Sequence, residues 1–208
     1  LSSCQHRRRR DRTGGSVIKI TLDDRQLKGL EKALGDSKKQ LGKTVARIVN
    51  KTAAKHKTQI AKKLREFVKV NAATAKESLS ISGKAREPNH LSATVVINQT
   101  KRIALNRFGA KQNKKGVRYQ ISKTEKGFIK GGFIVKSLSG HVFERKNPYV
   151  PKGPRDPNRQ LTTPKRGTTM WKVYERHKLE KWSQKETAKE MLVQLDVQLK
   201  SILKKQGS

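Results

Sequence analysis

From residue 41 onward the apolar residues Leu41, Val45, Ile48, Val49, Ala53, Ile60, Leu64, Phe67 and Val68 recur at three- and four-residue spacing, which places them along one side of an α-helix. The stripe runs for about eight turns, far more than a surface helix of ordinary length (about three turns). Such a helix is stable in water only when other elements are laid against its apolar side, so it constrains everything around it. Its opposite face carries Lys43, Arg47, Lys51, Lys55, Lys62 and Lys69, with Glu66 the lone acid. His56 falls on the stripe between Ala53 and Ile60 and is expected to be a partly buried packing residue rather than a metal ligand.

Ahead of this helix, Val17, Ile18, Ile20 and Leu22 form a short strand, stopped at Asp23 and Asp24. Asp24 is placed to cap a helix through Leu27, Leu30 and Leu34. Behind it, Asn71 and then Thr74 with Glu77 signal the start of a short helix, the second pair at capping-box spacing. The period then changes. Leu79 and Ile81, then Ala93, Val95 and Ile97, then Val117, Tyr119 and Ile121, then Phe128 to Val135, then Val142 and Phe143 form short alternating or apolar runs between Gly, Asn, Ser and Lys clusters. They predict an antiparallel sheet of about five strands. Five prolines lie between residues 147 and 167, a density that excludes helix and central strand alike. Beyond them, residues 168–183 and 184–204 read as helical, with Met191, Leu192, Leu195, Leu199 and Leu203 on one face.

The expected fold class is therefore α+β: a long N-terminal amphipathic helix packed on an antiparallel sheet of about five strands, a proline-rich connector and C-terminal helices. The expected organisation is a basic arm at 1–15, an α+β core at 16–146, the connector at 147–167 and a helical extension at 168–208. The arm holds Arg7, Arg8, Arg9, Arg10 and Arg12 against Asp11 alone; it is either a phosphate-binding segment or a solvated tail. The chain opens on Leu1 rather than Met, which leaves its extreme start uninformative.

Charge decides the class of partner. Fifty Lys and Arg against sixteen Asp and Glu give a formal net charge of +34 over 208 residues, whereas a small soluble domain ordinarily carries a magnitude of about 2 to 8. Such a surface repels itself until a polyanion neutralises it, and nucleic acid gains affinity by releasing its condensed counter-ions onto Lys and Arg. The densest stretch holds Lys101, Arg102, Arg107, Lys111, Lys114, Lys115 and Arg118, seven bases in eighteen residues with no acid between them. At 33% hydrophobic residues the core is thin for the length, which favours oligomerisation. The single cysteine, Cys4, excludes an intramolecular disulfide and suits a reducing compartment.

Catalytic patterns are missing. The run from Gly35 to Gly42-Lys43-Thr44 has six residues between its glycines where a phosphate-binding loop needs four. His177 and Glu180 lack the second His of a zinc-protease helix, Lys181 standing in its place. His6, His56, His90, His141 and His177 are scattered. Between Ser80 and Met170 the only acids are Glu87, Glu125, Glu144 and Asp156, too few and too far apart for paired-carboxylate or nuclease metal chemistry. Neither a nucleophile elbow nor zinc-finger spacing nor an RNA-binding aromatic strand is present. The expectation is a non-enzymatic protein without cofactor or metal that meets phosphate with little regard for base sequence.

Taken in order, Arg47-Ile-Val-Asn-Lys-Thr-Ala, Phe67-Val-Lys-Val, Lys76-Glu-Ser-Leu-Ser-Ile, Leu91-Ser-Ala-Thr-Val-Val-Ile, Ile103-Ala-Leu-Asn-Arg-Phe, Gly116-Val-Arg-Tyr-Gln-Ile, Gly131-Gly-Phe-Ile-Val and Gly140-His-Val-Phe-Glu-Arg resemble the minor tail protein Z family of long-tailed bacteriophages. The resemblance spans roughly residues 41–154. After it, Asn147-Pro-Tyr-Val-Pro-Lys-Gly-Pro-Arg keeps only part of the family's Arg-x-Pro-Ile and Gly-Pro-Ser pattern, and the arginine arm has no counterpart. The resemblance implies a structural role: closing the head-proximal end of a tail tube and positioning the DNA end. It further implies a homo-oligomeric ring in the virion, assembled in host cytoplasm. The partners it implies are tail terminator, tail tube and head-tail connector proteins and the backbone of double-stranded DNA, with no membrane. Phe143 and the other sheet apolars are then core, and Arg145 joins the Lys101 to Arg118 set as a contact to DNA or acidic partners. The alternative that composition alone supports is a cellular RNA-binding or ribosome-associated protein.

Overall fold

The computed structural model describes residues 16–34, 38–86, 91–144 and 164–206. Strand β1 (Ser16–Ile20) leads into α1 (Asp24–Leu34), the long helix α2 (Lys38–Phe67) and the short α3 (Ala72–Glu77). Then come β2 (Leu79–Ser82), β3 (Ala93–Ile97), a 3₁₀ turn at Leu105–Phe108, β4 (Lys111–Asn113), β5 (Gly116–Gln120), β6 (Lys126–Lys130), β7 (Gly132–Val135) and β8 (His141–Glu144). Helices α4 (Met170–Arg176) and α5 (Glu180–Gln206) close the described chain. The architecture is broadly α+β.

The apolar stripe forms one continuous helix of 30 residues. Val45, Ile48, Val49, Ala53, Ile60, Ala61 and Leu64 are buried along it, while Lys43, Arg47, Lys51, Lys55, Lys62 and Lys69 are exposed as the sequence predicts. It is the central element rather than an N-terminal one, because β1 and α1 precede it.

A three-stranded antiparallel sheet, ordered β1-β3-β2, packs on α2. Its register places Ile18, Val95 and Ile81 in one row, Ile97 beside Leu79, and Ile20 beside Ala93. Strand alternation puts these on one face, and Ile20, Leu79, Ala93, Val95 and Ile97 are buried there.

Among the described residues, the expected sheet of about five strands is instead three small antiparallel sheets of three, three and two strands. Two features cause the division. First, β3 is central, with β1 on one side and β2 on the other, so it offers no free edge to later strands. Second, the apolar run from Phe128 to Val135 breaks at Gly131, whose φ of 67° turns the chain; β6 pairs back with β5, and β7 pairs forward with β8. Strand β4 carries no apolar residue and escapes the period-2 signal.

Local capping differs in detail. Asp23, not Asp24, caps α1: its carboxylate accepts from the Gln26 N–H at 2.8 Å, and the Gln26 side chain accepts from the Asp23 N–H at 3.1 Å, a reciprocal box. Asn71 caps α3 by accepting from the Thr74 N–H, so Thr74 lies inside the helix, buried. The predicted helix over 168–183 is interrupted. Lys178 adopts φ 48°, and the chain turns there between α4 and α5.

Residues 147–163 of the proline-rich connector, the arginine arm and Arg145 lie outside the described residues. The connector's described end is extended. Lys165 N–H donates to Val142 O at 2.9 Å, and Gly167 N–H to Ile103 O at 2.7 Å, which stitches residues 165–167 between β8 and the segment leading into the 3₁₀ turn.

Helix α5 runs antiparallel along α2 through a seam that mixes apolar and polar contacts. Thr52 Oγ1 donates to Met191 Sδ at 3.8 Å, His56 Nε2 shares a hydrogen bond with Ser183 Oγ at 2.8 Å, and Gln59 Nε2 donates to Glu186 Oε1 at 3.1 Å. Lys55 pairs with Glu190 at 2.9 Å, which also accepts from Gln194. Glu190, Gln194 and Gln198 are buried while Leu192 is 57% exposed, so Leu192 leaves the face predicted for it, with Met191, Leu195 and Leu199 remaining on the packed side. At the end of α2, Phe67 stacks on His177, the residue that closes α4, with ring centroids 3.8 Å apart.

His56 is fully buried, more deeply than its partly buried expectation. Burial disfavours the imidazolium and lowers the pKa below the ordinary 6.5, against smaller opposing contributions from Gln59 and the Glu186 carboxylate. The unfolded chain therefore takes up a proton at His56 before the folded one does. The stability that neutral His56 contributes is complete above pH 6.5 and is lost as pH falls from 6.5 toward the lower folded value. Thermal unfolding between pH 7.5 and 5 is expected to show the melting temperature dropping, and the drop is expected to be smaller in His56→Gln, which keeps a polar group for Ser183 but does not titrate.

Candidate nucleic-acid interface

The β4-β5-β6 sheet turns one face inward and one outward. Its register sets Lys111, Arg118 and Phe128 in one row across the three strands, with Asn113, Gly116 and Lys130 in the second and Gln120 with Lys126 in the third. Alternation places all three rows on the same face. The intervening rows, Gln112, Val117 and Ile129, then Tyr119 and Gly127, form the inner face. Val117 is buried there, and Gln112 Oε1 accepts from the Ile134 N–H of β7 at 2.8 Å.

The outer face is strongly basic. Lys111, Arg118, Lys126 and Lys130 are exposed, and none of the residues of β4, β5 or β6 is an acid. Lys69, just past the end of α2, reaches the Gln120 side chain at 3.2 Å and adds a charge at the edge. The nearest acid in sequence, Glu125 in the β5–β6 turn, pairs with Arg176 of α4 at 3.4 Å. Lys114 and Lys115 occupy the β4–β5 hairpin, where Asn113 Oδ1 accepts from the N–H groups of Lys115 and Gly116 at 3.1 and 2.9 Å. That contact fixes the turn and leaves both lysines exposed.

Of the residues singled out in the sequence, Lys111 and Arg118 thus share the face, directly opposite each other, and Lys114 and Lys115 sit at its hairpin end. Lys101 and Arg102 are exposed in the turn after β3, where Asn98 Oδ1 accepts from the Lys101 N–H at 2.9 Å. Arg107 leaves the 3₁₀ turn toward α3, with Nη1 3.5 Å from Thr74 Oγ1. Contiguity in sequence did not carry these three onto the sheet face.

Lys126 and Lys130 are members of the face that the run of bases did not include. The signal was available in the alternation Lys126-Gly127-Phe128-Ile129-Lys130, in which Phe128 shares a face with two lysines. Phe128 is accordingly no core residue: it is 47% exposed, while Phe143 and Val142 are buried. Its ring reaches over Gly116, so that Cζ lies 3.0 Å from where a Cβ would stand. On the inner face, Tyr119 covers Gly127 in the same way.

Among the described residues no three His, Cys, Asp or Glu side chains converge on a common point, and no helix is long and apolar enough to cross a membrane. What this arrangement offers chemically is a set of cations held by strand register at fixed spacing, suited to a phosphate backbone.

Gly116 holds the face together from below. Its φ of 153° suits glycine, and a Cβ there would strike the Ile129 carbonyl as well as the Phe128 ring. Gly116→Ala is expected to cost about 1–3 kcal/mol, read as a fall in the urea midpoint without change in slope. Comparison of the chain with protein-family models, curated proteins and solved structures finds no match.

Proposed function

We propose that this protein is a structural component of the head-proximal end of a phage tail, which helps to close the tail tube and holds the DNA end through contacts to phosphate that ignore base sequence. The observation that carries the DNA contact is the acid-free outer face of β4-β5-β6, on which strand register sets Lys111, Arg118, Lys126 and Lys130 together. The ordered motifs that resemble the minor tail protein Z family support the phage setting. They take definable places in the fold. Asn50 of the helical motif brackets Ala85, donating to its carbonyl and accepting from its N–H, both at 2.9 Å. Gly140, at the head of the last motif, turns into β8 with φ 70°, and its N–H donates to Val135 O.

A conduit or plug for DNA has to be basic over an area, to read no bases and to hold its charges on a rigid support. A sheet meets the last requirement better than a loop, since strand register sets the spacing of its side chains. Ring formation places copies of the face around a common axis and multiplies the contacts.

Two measurements test the proposal. Duplex affinity measured against salt concentration is expected to give a log-log line that becomes shallower by about 0.9 for each phosphate contact removed. Lys126→Gln with Lys130→Gln should produce that change, whereas Lys51→Gln with Lys62→Gln on α2 should change the slope far less. Cryo-electron microscopy of tailed particles from cells that make this chain is expected to show it as a ring at the head-to-tail junction. Its absence from intact particles would favour the RNA-binding alternative.

A further inference from the structure

Phosphate contacts alone leave one feature of the face unused. Phe128 stands among Lys111, Arg118, Lys126 and Lys130, in register with Arg118 and flanked along its own strand by the two lysines. Nearly half of its surface is open to water. A duplex gives such a ring no counterpart, because its bases are stacked on one another and it turns sugar and phosphate outward. A single strand exposes the flat faces of its bases, and an aromatic ring set in a basic groove is the usual seat for one.

Resting on the DNA-contacting role proposed above, we infer that the outer face of β4-β5-β6 takes an unpaired stretch of DNA, with Phe128 stacking on one base while Lys111, Arg118, Lys126 and Lys130 hold the phosphates on either side. The spacing fits. Lys126 and Lys130 each lie two residues from Phe128 along β6, about 7 Å away at the rise of a strand. Arg118 is its cross-strand neighbour, about 5 Å away. Long flexible Lys and Arg side chains span that distance to backbone phosphates next to a stacked base. No side chain positioned to read base edges is required, so the preference is for unpaired structure rather than for a sequence. A tail that holds a DNA end with unpaired nucleotides would present this ligand.

The experiment compares labelled 20-nucleotide single-stranded DNA, the same length as duplex, and single-stranded RNA by fluorescence anisotropy at fixed salt, using the full chain. The single strand is expected to bind more tightly than the duplex. In Phe128→Leu, which keeps an apolar cover over Gly116 but offers no ring, the ratio of single-strand to duplex affinity is expected to fall at least about fivefold, the lower end of what one base stack contributes. Phe128→Trp is expected to keep or raise the ratio. A ratio unchanged in Phe128→Leu would overturn this inference while leaving the electrostatic reading intact. Tighter binding of RNA than of DNA would overturn the choice of ligand. Failure of both DNA forms to bind with a measurable salt slope would instead remove the DNA-contacting role itself. Should Phe128→Leu lose its fold by circular dichroism, Phe128→Trp decides, because a drop in its ratio contradicts stacking.

Discussion

Helix α2 must be covered along a broad arc of its circumference, and the other elements are disposed to do so. The apolar face of β1-β3-β2 covers one strip, α1, α3 and α4 touch it, and α5 runs down an adjoining strip. The two main coverings differ in kind. Toward the sheet the contact is hydrophobic, and each buried Val or Ile contributes about 1.5–3 kcal/mol. Toward α5 it passes through Thr52, His56 and Gln59 against Met191, Ser183 and Glu186. Hydrogen bonds of this sort add only about 0.5–1.5 kcal/mol each net of water, but cost more when a buried partner is removed. The α5 side adds polar contacts that fix its register to apolar burial through Met191, Leu195 and Leu199.

The charge of the chain is compatible with this plan because it is kept off the packed surfaces. Lysines line the solvent side of α2 and the outer face of β4-β5-β6, while the inner faces of both three-stranded sheets carry the apolar residues. Five ion pairs are formed among the described residues, most of them well exposed, and exposed pairs contribute little. Most cations therefore have no acid against them. A folded surface of this kind is held by its interior and gains from a polyanion outside.

Much of the helical part was legible in the sequence. The stripe from Leu41 to Val68, the Leu27 and Leu30 helix and the Asn71 cap follow from local spacing and side-chain chemistry. So do the individual strands around Leu79, Val95, Val117 and Val142, where period-2 alternation reports half-buried backbone. What local reading misses is which strand pairs with which. Nothing within β3 says that β1, some 75 residues earlier (as Ile20↔Ala93, 73 apart), will occupy its second edge and end the sheet. The break at Lys178 was hidden for a different reason: Lys is a good helix former, yet it takes the left-handed position that ends α4, with the Leu179 N–H donating to Tyr174 O and the Lys178 N–H to Glu175 O, a place sequence reading expects of glycine. The basic site was half legible: a run of bases located Lys111 and Arg118, but clustering along the chain is a poor guide to clustering on a sheet, where neighbours come from other strands.

The two glycines of the β4-β5-β6 sheet bear on how this surface can change by descent. Gly116 lies under Phe128 on the outer face and Gly127 under Tyr119 on the inner one, so each ring fills the room that a side chain on the neighbouring strand would need. Enlarging either glycine evicts an aromatic, and shrinking either aromatic uncovers a glycine. Positions 116 and 128, and likewise 119 and 127, are therefore two physically coupled pairs rather than four independent sites. The ring at 128 can give way to another apolar cover, but Gly116 cannot follow it to a larger residue, because a Cβ there would meet the Ile129 carbonyl whichever side chain lies above.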